Sequence, residues 1–149
     1  MNIKYIHTNI ISEDWKKLAQ FYIDVFKCTP VTPERSLSGD WLDKGTGVKN
    51  AEINGIHLRF PGYGENGPTL EIFQYTRMEE KPVPTANRKG LGHIAFRVEN
   101  IHEVYNKIIE KGGSSPGEIV TKQIEGVGTI CFVYAKDPEG NIIELQKWD

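Results

Sequence analysis

The sequence has few cysteines, no long apolar run and no large excess of one charge, and each shortage excludes a class of protein. Its 149 residues include two cysteines, Cys28 and Cys131, which lie far apart and outside any C-x-x-C spacing. We therefore expect two free thiols, and neither a disulfide-stapled fold nor a cysteine-based zinc site. No apolar run approaches the roughly 20 residues of a membrane span. The net charge of −2 argues against the basic surface of a nucleic-acid-binding protein.

The first residues, MNIKYIHTNIISEDW, lack a basic segment followed by an apolar stretch. We therefore expect no secretory signal and a cytoplasmic location. A hydrophobic content of 38% and a charged content of 26% are typical of a soluble globular protein, and the length suits a single domain.

One pattern of elements occurs twice along the chain. Residues 3–11 (IKYIHTNII) and 91–98 (LGHIAFRV) predict strands, each followed by an amphipathic helix. Ser12 and Asn100 are the predicted helix caps. Three further strands follow each helix in the predicted order; the recognisable ones span residues 51–60, 69–75, 118–123, 128–135 and 141–148. Pro30 and Pro33 should end the first helix, and residues 34–50 predict a long loop with at most one helical turn.

The sequence therefore predicts an α+β fold of two tandem βαβββ modules within a single domain. The first module covers about 1–76, a polar linker about 77–89, and the second module about 90–149. This fold prediction depends on the sequence repeat, because a repeated pattern of elements implies a repeated structural module.

A histidine and a glutamate recur at matched places in the two modules. His7 aligns with His93 at an offset of 86 residues, and Glu71 aligns with Glu144 at an offset of 73. Because strand side chains alternate between faces, each His–Glu pair should lie on the sheet face turned away from its helix. If the two modules pair with these faces inward, a curved mixed sheet surrounds a central cavity that holds a metal ion.

Two imidazoles and two carboxylates are a ligand set for a divalent transition metal. A single strand histidine is more often an ordinary surface or core residue, and a glutamate between apolar neighbours usually faces solvent. The recurrence of both in each module favours metal ligation by His7, Glu71, His93 and Glu144. The same alternation predicts the residues that would line a substrate pocket: Asn9, Ile11, Phe73, Tyr75, Arg97, Gln146 and Trp148. Arg97 either pairs with an anionic substrate or forms a structural ion pair.

Three other residues have less specific patterns. His57 lies on a strand of the first module without a histidine counterpart in the second, so we expect a surface or supporting role rather than direct ligation. His102 lies off the apolar stripe of its helix and should be solvated. Trp41, in a glycine-bearing loop, either covers a pocket or packs that loop.

Several motifs resemble the vicinal oxygen chelate superfamily. They are HTNIISED and HIAFRVEN at the two module starts, the pair Phe21–Tyr22, and the closing DPEGNIIEL. That superfamily includes glyoxalase I, methylmalonyl-CoA epimerase, extradiol dioxygenases, and fosfomycin and bleomycin resistance proteins. The resemblance implies metal ligands at the first-strand His and last-strand Glu of each module, and one divalent ion (Zn, Ni, Co, Mn or Fe).

Within this superfamily the ligand set His–Glu–His–Glu most resembles glyoxalase I. The resemblance implies a lyase or isomerase that moves a proton between adjacent carbons of a small oxygenated substrate through a metal-bound enediolate. Glu144 is then the first candidate for the catalytic base and Glu71 the second. Three alternatives stay open: a methylmalonyl-CoA-type epimerase, which typically has Gln at the position of Glu71; an extradiol-type dioxygenase; and a non-catalytic binding or resistance protein. The family also implies a homodimer.

Overall fold

The computed structural model describes residues 1–149 and contains two four-stranded mixed sheets, the first with two helices and the second with one. The chain divides into two units, Met1–Glu80 and Lys81–Asp149. The predicted α+β class is confirmed, and each unit has the predicted order of one strand, one long helix and three strands. None of the helices combines the length and apolar character that crossing a bilayer requires.

The first unit contains six elements. They are β1 (His7–Ile11), α1 (Trp15–Phe26), β2 (Thr29–Ser38), α2 (Asp40–Thr46), β3 (Glu52–Arg59) and β4 (Thr69–Tyr75). The strand order is β1-β4-β3-β2, with β1 parallel to β4 and the other pairs antiparallel. The parallel pair places the start of the chain beside the last strand of the unit.

The second unit repeats this topology with one helix fewer. Its elements are β5 (Ile94–Arg97), α3 (Ile101–Glu110), β6 (Val120–Ile124), β7 (Gly128–Lys136) and β8 (Ile142–Trp148). The strand order is β5-β8-β7-β6, and β5 is parallel to β8. The histidine that we predicted within the first strand, His93, immediately precedes β5.

The long helices begin at side-chain caps. Asn100 caps α3 as predicted, and its Oδ1 accepts the backbone N–H of Glu103 at 3.1 Å. Ser12 was the wrong cap for α1. Its own N–H still donates to the Phe73 carbonyl, at 2.8 Å, so pairing with β4 continues through this residue and the helix begins later. Asp14 is the cap, accepting the N–H of Lys17 at 3.1 Å.

Each long helix packs its apolar stripe on one face of its own sheet. α1 packs on β3 and β4, and α3 packs on β7 and β8. The residues buried almost completely between helix and sheet are Leu18, Tyr22, Leu58, Leu70 and Ile72 in the first unit and Ile108, Val133, Ile143 and Leu145 in the second. Burial on this face leaves the opposite strand positions to carry polar side chains.

The prediction of a long loop over residues 34–50 was partly wrong. Residues 34–38 belong to strand β2 instead of a loop, while α2 is the short helical turn that was expected. β2 lies at the edge of its sheet, where a proline without an N–H donor is tolerated, and its pairing shifts register between Val31 and Arg35. Helix α1 already ends at Phe26, with Lys27 in the left-handed conformation, and both prolines lie within strand β2.

Candidate functional site

The first unit gathers two histidines and one glutamate on neighbouring strands. Parallel pairing of β1 with β4 sets Asn9 opposite Glu71, with His7 two residues earlier on the same face. Antiparallel pairing of β3 with β4 sets His57 directly opposite Glu71. Because opposite residues share a face, the side chains of His7, His57 and Glu71 project to the same side of the sheet.

The Glu71 carboxylate is the centre of this cluster. Nε2 of His57 lies 2.8 Å from its Oε2, and Nε2 of His7 lies 3.7 Å from its Oε1. The Asn9 amide donates to Oε1 at 2.8 Å. The three His and Glu ligand atoms all lie within 4.8 Å of one another, and the side chain of Glu71 is only 12% exposed. Both carboxylate oxygens thus lie beside neighbouring nitrogens in a mostly buried position.

His57 is the most constrained of these residues. Its Nδ1 lies 3.2 Å from the hydroxyl of Thr69, which is nearly buried. Burial lowers the pKa of His57 below its usual value; the Glu71 carboxylate opposes this shift, and Arg35 and His7 add to it. The neutral imidazole, which is the form that binds a metal, is therefore favoured.

The second unit brings together the corresponding pair. Nε2 of His93 lies 3.0 Å from Oε2 of Glu144, and the two side chains are 30% and 14% exposed. In the register of β7 and β8, Tyr134 is the residue opposite Glu144. The Tyr134 ring lies 4.8 Å from the imidazole of His93, measured between centroids.

The donor atoms of these residues fit a divalent metal. In each unit a histidine directs Nε2 toward a glutamate oxygen, and both glutamates are mostly buried. Nitrogen and oxygen donors of this kind bind Zn, Ni, Co, Fe or Mn. The predicted partners within each unit, His7 with Glu71 and His93 with Glu144, are thus found side by side.

Comparison with known proteins gives the family. The model of the Glyoxalase/Bleomycin resistance protein/Dioxygenase superfamily matches residues 4–145. The chain belongs to this superfamily. It is 29% identical over 143 residues to a protein of Synechocystis sp. named probable lactoylglutathione lyase, covering 94% of this chain and 92% of that protein. A Vibrio parahaemolyticus protein with the same name is also 29% identical, over 148 residues, covering 97% of this chain and 90% of that protein.

Solved structures of the superfamily share the fold. The crystal structure of a glyoxalase family protein from Bacillus cereus aligns with a TM-score of 0.75 at 18% identity, covering 99% of this chain and 94% of that one. The family match confirms the resemblance inferred from the motifs, and the solved structure shows the same fold.

The predicted substrate residues of the first unit have different surroundings. Asn9 contacts Glu71, as described above, and Ile11 is 44% exposed at the end of β1. Phe73 is buried in a cluster beneath α2, against which Tyr75 also packs; this cluster contains Leu42, Ala51, Ile53 and Phe73. Their role in binding a substrate stays a prediction.

The predicted residues of the second unit lie together on neighbouring strands. Arg97 is opposite Gln146 in the register of β5 and β8, and the indole N–H of Trp148 donates to the Gln146 side chain. Arg97 and Trp148, with Lys147, line a surface cavity of about 480 Å³. A second cavity of about 500 Å³, in the first unit, is lined by Tyr75 together with Trp15 and Arg35. Neither cavity is lined by the His–Glu residues.

Sequence reasoning gave His57 a surface or supporting role but did not predict its contact with Glu71. The signal was present, because a hairpin closing between Phe60 and Pro68 pairs residue 57 with residue 71. His102 is exposed as predicted. Trp41 is 62% exposed, and its indole N–H donates to the Ser38 carbonyl at 2.9 Å.

Proposed function

We propose that this protein is a metal-dependent lyase or isomerase of the glyoxalase I type, acting on a small oxygenated substrate. His7, Glu71, His93 and Glu144 would hold one divalent ion per chain. The observation that carries the proposal is the pairing of a histidine Nε2 with a glutamate oxygen in each unit. The names of the two relatives support the same reaction class. The homodimer and the cytoplasmic location stay predictions of the sequence.

When bound, the divalent ion supplies positive charge that stabilises the anion formed when a proton leaves a carbon beside a carbonyl. The carboxylates of Glu144 and Glu71 differ in how many of their oxygens are already engaged by neighbouring groups, and hence in how readily they can accept that proton. Both oxygens of Glu71 are held, one by the His57 ring and the other by the Asn9 amide. Such a carboxylate suits a fixed ligand. Glu144 faces a single imidazole nitrogen through Oε2, so we assign the base that removes and returns the proton to Glu144.

Proton exchange in deuterated water tests this function. The protein is purified without chelator, its metal content is measured, and deuterium incorporation is followed in a hemithioacetal of glutathione and in a chiral acyl-CoA. We expect incorporation into the hemithioacetal and none into the acyl-CoA. Exchange into the acyl-CoA would favour epimerase chemistry, and absence of both metal and exchange would leave a binding or resistance protein.

A substitution tests the assignment of the base. Glu144→Gln should lower the exchange rate by about 10²–10⁴-fold, because the amide cannot accept the proton. Glu118→Gln, at an exposed position of the same unit, is the matched control and should leave the rate unchanged. Equal rates for Glu144→Gln and the unmodified protein would refute the assignment.

A further inference from the structure

The two units differ in the number of metal donors that they provide. Opposite its glutamate, the first unit has His57 on β3, whereas the second has Tyr134 on β7. The residue two positions before the glutamate differs as well, being Thr69 in the first unit and Ile142 in the second. The His57 imidazole and the Thr69 hydroxyl beside its Nδ1 thus occur together in the first unit, and the second unit has neither at the corresponding positions.

We propose that His57 is an additional protein ligand, the third from the first unit, so that His7, His57 and Glu71 suffice to bind a divalent metal ion within that unit. The inference rests on the proposed function only in assuming that the ion binds at His7 and Glu71. It goes beyond that function in two ways: it adds a ligand from β3, and it states that the first unit retains the ion when His93 and Glu144 are removed.

The distances between donor atoms support a shared ion. Two donors bound tetrahedrally at about 2.0–2.2 Å from zinc lie roughly 3.4 Å apart. The separations of 2.8 Å from His57 to Glu71 and 3.7 Å from His7 to Glu71 are on either side of that value. No pair of the three ligand atoms is more than 4.8 Å apart, and His7 is the most exposed of the three side chains, at 38%.

The orientation of His57 also fits a ligand. Its ring stands nearly perpendicular to that of His7, at 82°, with the centroids 5.7 Å apart and both Nε2 atoms near the same carboxylate. Thr69 Oγ1 lies beside the other nitrogen, Nδ1. A hydroxyl both donates and accepts, so it can accept Nδ1–H when Nε2 binds an ion. A partner of this kind is the usual support of a metal-bound histidine.

Two imidazoles and one carboxylate leave further coordination positions open. This set of donors suits Zn, Co, Fe(II), Mn or Ni. The competing role for His57 is to hold Glu71 by a hydrogen bond alone, with Nε2–H donating to Oε2. Replacing His57 by glutamine separates the two roles. A glutamine side chain can still donate a hydrogen bond to Glu71, but it provides no imidazole nitrogen to bind a metal ion.

Cobalt binding to the full-length chain tests the proposal. The double variant His93→Ala/Glu144→Ala, checked for folding by circular dichroism, is titrated with Co(II) against a competing chelator. We expect one Co(II) per chain, and two exchangeable imidazole N–H resonances shifted by the paramagnetic ion, one each from His7 and His57. Adding His57→Gln should remove one resonance and weaken binding at least tenfold. His102→Gln, on the exposed side of α3, is the matched control and should change neither.

The same substitution in the otherwise unmodified chain keeps the test valid if the double variant does not fold. There, His57→Gln should reduce the shifted imidazole resonances by one. Retention of affinity and of every resonance would overturn the proposal and leave His57 as a hydrogen-bond donor to Glu71. Loss of all cobalt binding from a folded double variant would overturn it as well. Proton exchange by the unmodified protein tests the proposed function separately. If the protein catalyses exchange but shows no shifted His57 resonance, this inference is refuted and the proposed function is not.

Discussion

Replacing Gly55 should destabilise the protein because β3 and β4 approach each other closely beside the His57–Glu71 pair. A Cβ built on Gly55 would lie 2.5 Å from Cδ1 of Phe73 and would overlap the carbonyl oxygen of Ile72. The carbonyl belongs to the backbone of β4, so it cannot rotate away. Overpacking of a filled interior costs about 1–3 kcal/mol. We therefore expect Gly55→Ala to lower the free energy of unfolding by that amount.

Gly45→Ala in α2 is the matched control, with the opposite expected sign. No heavy atom lies within 4 Å of a Cβ built there. Replacing glycine by alanine inside a helix stabilises a protein by roughly 0.5–1 kcal/mol. Thermal unfolding followed by circular dichroism measures both variants, with about 2–4 °C expected per kcal/mol for a chain of this length. A melting temperature of Gly55→Ala at or above that of Gly45→Ala would refute the steric argument.

Two further predictions concern the thiols and a helix cap. Burial raises the pKa of Cys28 to about 12, so this thiol stays protonated at pH 8, and a thiol reagent should label only the partly exposed Cys131. Unfolding in denaturant should raise the number of labelled thiols from one to two. Equal labelling rates for the two thiols in the folded protein would contradict this prediction. Asn100→Ala removes the acceptor for the Glu103 N–H and should cost about 1 kcal/mol in urea unfolding, whereas Asn106→Ala, at an exposed position of the same helix, should be neutral or slightly stabilising. An equal loss in both would show that the cap contributes nothing.

Local patterns were enough to predict most of the architecture. The apolar stripe of α1 recurs at helical spacing because those residues meet one face of the sheet, and the same holds for α3. The strands β4 and β8 have the predicted faces, with Ile72 and Ile143 buried and Glu71 and Glu144 on the other side. Phe73 and Ile142, on the glutamate side, are buried as well. Such patterns are visible in the sequence because the burial of each residue depends on the helix or strand that contains it and on the neighbouring elements packed against it.

The edge strand β2 could not be predicted in the same way. Its burial pattern is almost entirely exposed, so there is no alternation to detect, and Pro30 and Pro33 argue against a central strand. It forms because β3 offers an unpaired edge, which is a property of another part of the chain. Capping of α1 was missed for a related reason. Pairing between β1 and β4 extends through Ser12 and delays the helix to Asp14.

The candidate site shows which residues can differ between the two units without loss of the fold. On the helix side, Leu58 and Leu70 of the first unit and Val133 and Leu145 of the second are all fully buried and apolar, since each fills space beneath a helix. On the opposite side, the residue facing the glutamate is free of that packing requirement. A histidine occupies it in the first unit and Tyr134 in the second. The number of metal donors can therefore change by one substitution on this face while the sheet beneath it stays the same. If His57 proves to be a ligand, the two halves of the repeat differ in chemistry at a position where they share the same backbone pairing.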